Sequence, residues 1–424
     1  MKKILVKIFI LMALGLHIQP IFVEANSEYD NNSVNQAVKF SKIIELKFKD
    51  RENHSISEKN KKVNKHSRSD FFKWIREELT DKGVPAEKIE EQEFKKYSGE
   101  GDDKFDGKNL IVTLPGKDTK KQIIVGAHYD GTGYGDNGSG TAFMLSLIQK
   151  LSEVPLPYNV KLVFFDSEEN GKIGSQYFVK KMNFFEKNNT LTMINIDSIA
   201  FGDYTNIYGG VYNDQTAKVE KLEVYQLAIR SAQNKGIKVL QTQDLDGYYK
   251  KNKQGPPIEN NTLYTNPWTQ KNPAPNREID DQLYVSPASG SWGDHQSFVE
   301  IGIPYLSLEA TNWYAYDPDK FNEGFDGYID TNNLNAGDKG RFMNTKFDTL
   351  EQFEKYFSED RLKEHYKVYG TLLFEMLQHP NGDFKRKTNI IPLVLISVVI
   401  LLLSGFLCIL LKKKIKTNLF NIFS

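Results

Sequence analysis

The sequence predicts an α/β domain with a mixed, mostly parallel central sheet and helices on both faces, followed by one C-terminal transmembrane helix. Three observations predict it. Residues 121–127 (KQIIVGA), 160–165 (VKLVFF) and 191–196 (LTMINI) are short runs rich in β-branched and aromatic residues, the composition of buried strands. Between them, 139–151 and 174–182 carry apolar residues that suit helices packed on one face, and strand–helix alternation implies parallel pairing covered on both sides. Residues 390–411 form an uncharged apolar run, and a bilayer needs about 20 such residues.

Taken from the N-terminus, residues 1–25 fit a secretory signal peptide: Lys2 and Lys3, an apolar stretch over 8–18, and a small residue, Ala25, for cleavage. Residues 26–69 are polar and lysine-rich, with little periodicity before Ile43, and read as a mobile lead-in or a peripheral helix. The α/β domain is assigned to 70–380. It opens with an amphipathic helix over 71–82 that Gly83 ends. Residues 244–291 are rich in Asn, Pro, Gly and Tyr; so long a loop before residue 293 reads either as a lid, with Tyr248, Tyr249, Trp268 and Tyr284 as candidate substrate walls, or as surface decoration.

Lys412, Lys413, Lys414 and Lys416 follow the apolar run, which places the 412–424 tail in the cytoplasm and the domain outside the cell membrane. The single cysteine, Cys408, lies within the span, so the outer domain has no disulfide, which suits a bacterial surface protein. Charge is balanced at 55 basic and 55 acidic residues, and no basic stripe suggests nucleic acid as a partner. With seven histidines and one cysteine, a zinc finger or iron–sulfur framework is excluded.

Chemistry concentrates at the ends of the three strands. HYDGTGYGDNGSG (128–140) follows the first, DSEENGKIGS (166–175) the second, and Asp197 of NIDS (195–198) the third. Each motif alone is ordinary, a hydrogen-bonded histidine, a turn and a solvated loop. Together, in order and each after a strand, they read as one metal site, because ligands gather beyond the carboxyl ends of parallel strands and zinc takes imidazole and carboxylate donors. Asp130 can accept the second imidazole N–H of His128 and fix its tautomer. Gly131, Gly133 and Gly135 permit the excursion that presents Asp136. Of the adjacent Glu168 and Glu169, one can bind metal while the other serves as general base.

These motifs, with GDHQSF (293–298), GIPYL (302–306) and NTKFDTLE (344–351), resemble the co-catalytic zinc aminopeptidase, glutamate carboxypeptidase and glutaminyl cyclase family over about residues 71–377. The resemblance implies a zinc exopeptidase-like fold in which His128 and Asp197 hold one zinc, Asp136 bridges, Glu169 holds the second zinc, and Glu168 is the base. It also implies a departure: the family's fifth ligand is a histidine, and Asn344 stands in its place. An amide oxygen is a poor zinc donor. One tight Zn²⁺ is therefore expected, with the second position weak, empty or taken by a harder ion. Asp294 and His295 are expected to lie behind the ligands or against substrate, with His295 as a lesser candidate to replace the missing imidazole.

The expected function is a membrane-anchored extracellular metallo-exopeptidase acting on peptides, most simply an aminopeptidase. A non-catalytic receptor or binding module with a decayed site is the alternative, kept open by Asn344. Glutaminyl-cyclase-like acyl transfer is less favoured, since that branch relies on the positions of Asp136, Glu169 and Asn344 for its single zinc.

Overall fold

The computed structural model describes residues 28–53, 65–99, 101–213, 218–241, 282–286, 293–311, 331 and 335–380. The signal segment, the apolar run at 390–411, the tail at 412–424 and the aromatic residues Tyr248, Tyr249 and Trp268 lie outside them. Among the described residues no helix is long and apolar enough to cross a membrane.

Nine strands form one sheet, in the order β1 (Ile89–Tyr97), β2 (Phe105–Leu114), β4 (Leu156–Phe165), β3 (Gly116–His128), β5 (Thr190–Ile196), β11 (Tyr305–Thr311), β6 (Tyr204–Tyr208), β10 (Gln282–Ser286) and β9 (Lys238–Gln241). Five neighbouring pairs are parallel: β4–β3, β3–β5, β5–β11, β6–β10 and β10–β9. Antiparallel pairing joins β1 to β2, β2 to β4, and β11 to β6, so the sheet is mixed and mostly parallel, as the alternation predicts. A separate ribbon pairs β7 (Gly210–Asn213) with β8 (Lys218–Lys221).

Position in the sheet explains strand composition. The outer β1 is mostly exposed and charged apart from Phe94, which blunts an edge against stray pairing. Centrally placed β5 is buried at every residue, as is the last half of β3 from Gln122 to His128. Between β3 and β4 the chain forms α3 (Gly138–Ser152), buried on nearly all sides. Beyond β4 come α4 (Ile173–Lys181) and the short α5 (Phe184–Asn189), whose start carries a capping box between Asn183 and Glu186. Gln282–Ser286 corrects one expectation: the presumed lid over 244–291 contains a strand that pairs on both sides, with Tyr284 in it.

The lead-in also needs correction. Residues Asn31–Lys47 form α1, capped by the Asp30 carboxylate, which accepts from Ser33 N at 2.9 Å. Its Val34, Ala37, Val38, Phe40 and Ile44 are buried in the main core against α3 and against α9 (Glu359–Gln378). Each buried Val, Ile or Phe contributes about 1.5–3 kcal/mol. The domain therefore begins well before residue 70. The apolar spacing was present in the sequence, and interleaved Asn, Lys and Ser masked it. The helix expected at 71–82 is α2 (Lys65–Asp81), ended at Gly83 with φ +84°.

Candidate metal centre

Every residue singled out at the strand ends arrives at the same end of the sheet. His128 closes β3, Glu168 and Glu169 follow β4, Asp197 follows β5, and Asp136 sits in the loop before α3. His128 Nε2 lies 3.0 Å from Asp136 Oδ1 and 3.5 Å from Asp197 Oδ1, and one donor atom from each of the three lies within 4.8 Å of the others. Glu168 and Glu169 stand outside that tight trio.

Four side chains that bond to backbone build this arrangement. Asp130 is fully buried, its Oδ1 3.4 Å from His128 Nδ1, and its two oxygens accept the backbone N–H groups of Glu168 (3.0 Å) and Glu169 (3.3 Å). One carboxylate thus ties the histidine strand to the glutamate loop. Asn137 ties the second pair of loops: its Nδ2 donates to Ile196 O (2.8 Å), and its Oδ1 accepts from Gly140 N (3.0 Å) and Ser198 N (3.3 Å), so Asp136 and Asp197 are held side by side. Asp348 accepts from Gly135 N (2.6 Å) and Asp136 N (2.9 Å), which fixes the direction of the Asp136 peptide. Thr141 Oγ1 donates to His128 O (2.9 Å).

Two glycines have a reason to be glycine. Gly131 has φ +95°, and a Cβ there would come within 2.8 Å of Glu169 Oε1; a Cβ on Gly133 would collide with the Asp348 carboxylate. Ser167 (φ +62°), Ser198 (φ +48°) and Asn344 (φ +57°) are non-glycine residues in the left-handed region, each beside a candidate ligand or itself one. Such strained backbone concentrates where a site must hold an awkward geometry.

Charge in the cluster is unbalanced. Asp136, Glu168, Glu169, Asp197 and Asp294 surround one imidazole, and no Lys or Arg of the described residues forms an ion pair with any of them. Burial holds the Glu168 carboxyl well above its ordinary value; His128 pulls the other way, and the Asp294 and Asp197 carboxylates add to the rise. Glu169 is pushed up to about 9 by loss of solvation and then by Asp136, although part of its side chain reaches solvent at the cleft mouth. Burial pushes Asp294 up to about 7, and both its oxygens lack a hydrogen-bond partner among the described residues. His128 is raised too: burial opposes its charged form, but Asp197, Asp130 and Asp136 together outweigh it. An excess of carboxylates around an imidazole is the donor set that a divalent cation satisfies. The residues present fit a metal.

A cleft of about 440 Å³ opens from Asp136 and is lined by Glu52, Asn53, Gly131, Glu169, Asn344, Lys346 and Asp348 among others. Asn344 is exposed on this wall, so the structure brings the substituted ligand position to the same cleft as Glu169. His295 opens α7 (His295–Val299); it is buried and stacked on Tyr305 with ring centroids 4.6 Å apart, and the trio does not include it. Asp294 immediately precedes it. Sequence reasoning missed Asn137 and Asp348, although both sit in motifs that it quoted, DNGSG and NTKFDTLE.

Residues 109–252 match the family model described as peptidase family M28. The likeness to M28 peptidases covers this segment, which holds His128, Asp136, Glu168, Glu169 and Asp197. Over 235 residues it is 28% identical to the alkaline phosphatase isozyme conversion protein of Escherichia coli (strain K12), covering 51% of this chain and 56% of that one. Over 126 residues it is 31% identical to the probable leucine aminopeptidase 2 of Aspergillus oryzae, covering 27% of this chain and 25% of that protein. The chain thus spans about half of the first of these relatives and a quarter of the second. Among solved structures, a glutaminyl cyclase from an Acidobacteriales bacterium superposes with a TM-score of 0.52 at 17% identity, covering 82% of this chain and 94% of that one, a likeness of fold.

Proposed function

We propose that this protein is a zinc-dependent exopeptidase, most simply an aminopeptidase, anchored by residues 390–411 with its peptidase domain on the outer side of the cell membrane. The observation that carries the reading is the His128–Asp136–Asp197 trio with donor atoms within 4.8 Å, beside a Glu168 carboxyl raised well above its ordinary value. His128, Asp136 and Asp197 would hold a divalent cation, with Glu169 and Asn344 toward a second, weaker position. A cation there supplies Lewis-acid polarisation of the scissile carbonyl and makes water more acidic.

The chain's own residues do the rest. Glu168 takes the proton of the attacking water and hands it to the leaving amine, a transfer helped by a raised proton affinity. Asp130 keeps the Glu168 peptide in register with His128. The peptide itself enters by the cleft beside Asp136 and Glu169, whose size is in the usual range for small-ligand sites, about 300–1,000 Å³. Lewis-acid hydrolysis needs only one filled position, so Asn344 leaves the chemistry intact.

The test is a zinc count on the purified full chain by elemental analysis, alongside hydrolysis of aminoacyl-nitroanilides and peptides. About one tight zinc with release of N-terminal residues is expected. A protein that takes up no metal and turns over no peptide would be the receptor-like alternative. External protease should release the domain from intact cells; full protection would reverse the proposed orientation.

A further inference from the structure

A loop that presents His128 at one end and Asp136 at the other must keep its shape, and its backbone carbonyls need donors. Three of them meet one residue. Arg51 donates its backbone N–H to Gly131 O (3.0 Å), Nε to Tyr129 O (3.1 Å) and Nη2 to Gly133 O (2.8 Å), while Nη1 bonds Phe48 O (2.9 Å). The side chain is fully buried, with the guanidinium 5.5 Å above the Phe71 ring, and no carboxylate of the described residues pairs with it. Burying a cation is costly even with the Glu45, Asp348, Asp130 and Asp136 carboxylates nearby to favour its charge, and all four of these hydrogen bonds go to backbone carbonyls, so the shape it imposes is its evident use. Glu52 and Asn53, next in the chain, line the cleft.

We propose that Arg51 is a positioning residue of the metal centre: its fork holds the 129–133 backbone so that His128 and Asp136 converge. The inference rests on reading the trio as a metal site. Lysine has its donors on one nitrogen and cannot span the carbonyls of Tyr129 and Gly133 as the planar fork does.

The experiment is Arg51→Lys in the full chain, with zinc affinity measured by competition against a chromophoric chelator and the fold of the metal-free protein followed by circular dichroism. Zinc should bind about 10- to 100-fold more weakly, the usual loss when a residue that orients ligands is removed, with the fold retained. Val38→Ala, a core truncation in α1 remote from the loop, should bind zinc as the wild type does. Zinc binding by R51K within twofold of wild type overturns the role, as does an equal loss in V38A. A wild type that takes up no zinc overturns the metal reading beneath it. Should R51K fail to fold, hydrogen exchange on the wild type decides: zinc must slow exchange at 48–53 together with 129–137, and unchanged exchange at 48–53 overturns the proposal.

Discussion

His128 and Asp197 occupy the ends of central strands, with side chains 2% and 20% exposed, whereas Glu169 and Asn344 stand exposed on loops at the cleft mouth. The first pair is braced from behind by Asp130, Asn137 and, through Asp136, Asp348. For the second pair the described bracing is thinner: the Glu169 peptide leans on Asp130 through one 3.3 Å bond, and Asn344 sits in left-handed backbone. A sheet thus makes a rigid floor for one ion, and a second ion depends on parts that the sheet does not hold. Metal affinity should follow that division, with catalysis resting on the floor.

The largest effect that could break this comparison is at the base. Glu168→Gln should reduce peptide hydrolysis by about 10²- to 10⁴-fold and leave bound zinc nearly unchanged, measured as turnover and zinc content on the same preparation. Retained turnover would remove Glu168 from the reaction, and loss of zinc would mean that it is a ligand.

Next in size is Asp348→Asn, which swaps an acceptor facing the Gly135 and Asp136 N–H groups for an amide that can satisfy one of them. Zinc affinity should fall by about 10- to 100-fold. A chelator titration reads it, and an unchanged affinity would mean that the rigid floor does not need this brace.

The smallest effect, and the one that sharpens the contrast most, is Asn344→His. It adds an imidazole to the open side, so calorimetry should show a second zinc binding more tightly than in the wild type, with the first unchanged. Two equally tight zincs in the wild type would erase the difference between the two sides.

The strand ends were legible because their chemistry is local. A buried β-run followed at once by HYD, EEN or IDS announces both the strand and the site, and of the residues so found His128, Asp136 and Asp197 meet. What escaped acts over distance. Asp348 serves Asp136 from 212 positions away, and Arg51 reaches 82 positions to Gly133; no spacing rule exposes either. Asn137 escaped for another reason, since an Asn before a Gly reads as a turn, while here its amide joins two strand ends. In α1 the burial follows helical spacing at Val34, Ala37, Ser41 and Ile44, yet the polar residues between them kept the helix from standing out.

The reach of Asp348 bears on when the protein becomes able to hold a metal. His128, Asp136, Glu169 and Asp197 are all synthesised within the first half of the chain, but the carboxylate that turns the Asp136 peptide comes from the far side of the sheet's last strand. Contacts so distant in sequence close late in folding, after the loop entropy between them has been overcome. A chain halted before residue 348 owns its four main donors and lacks the acceptor that aims one of them. Capture of the ion is thereby tied to near-completion of the domain, and a partly folded chain presents a weaker trap for passing cations than its ligand inventory suggests.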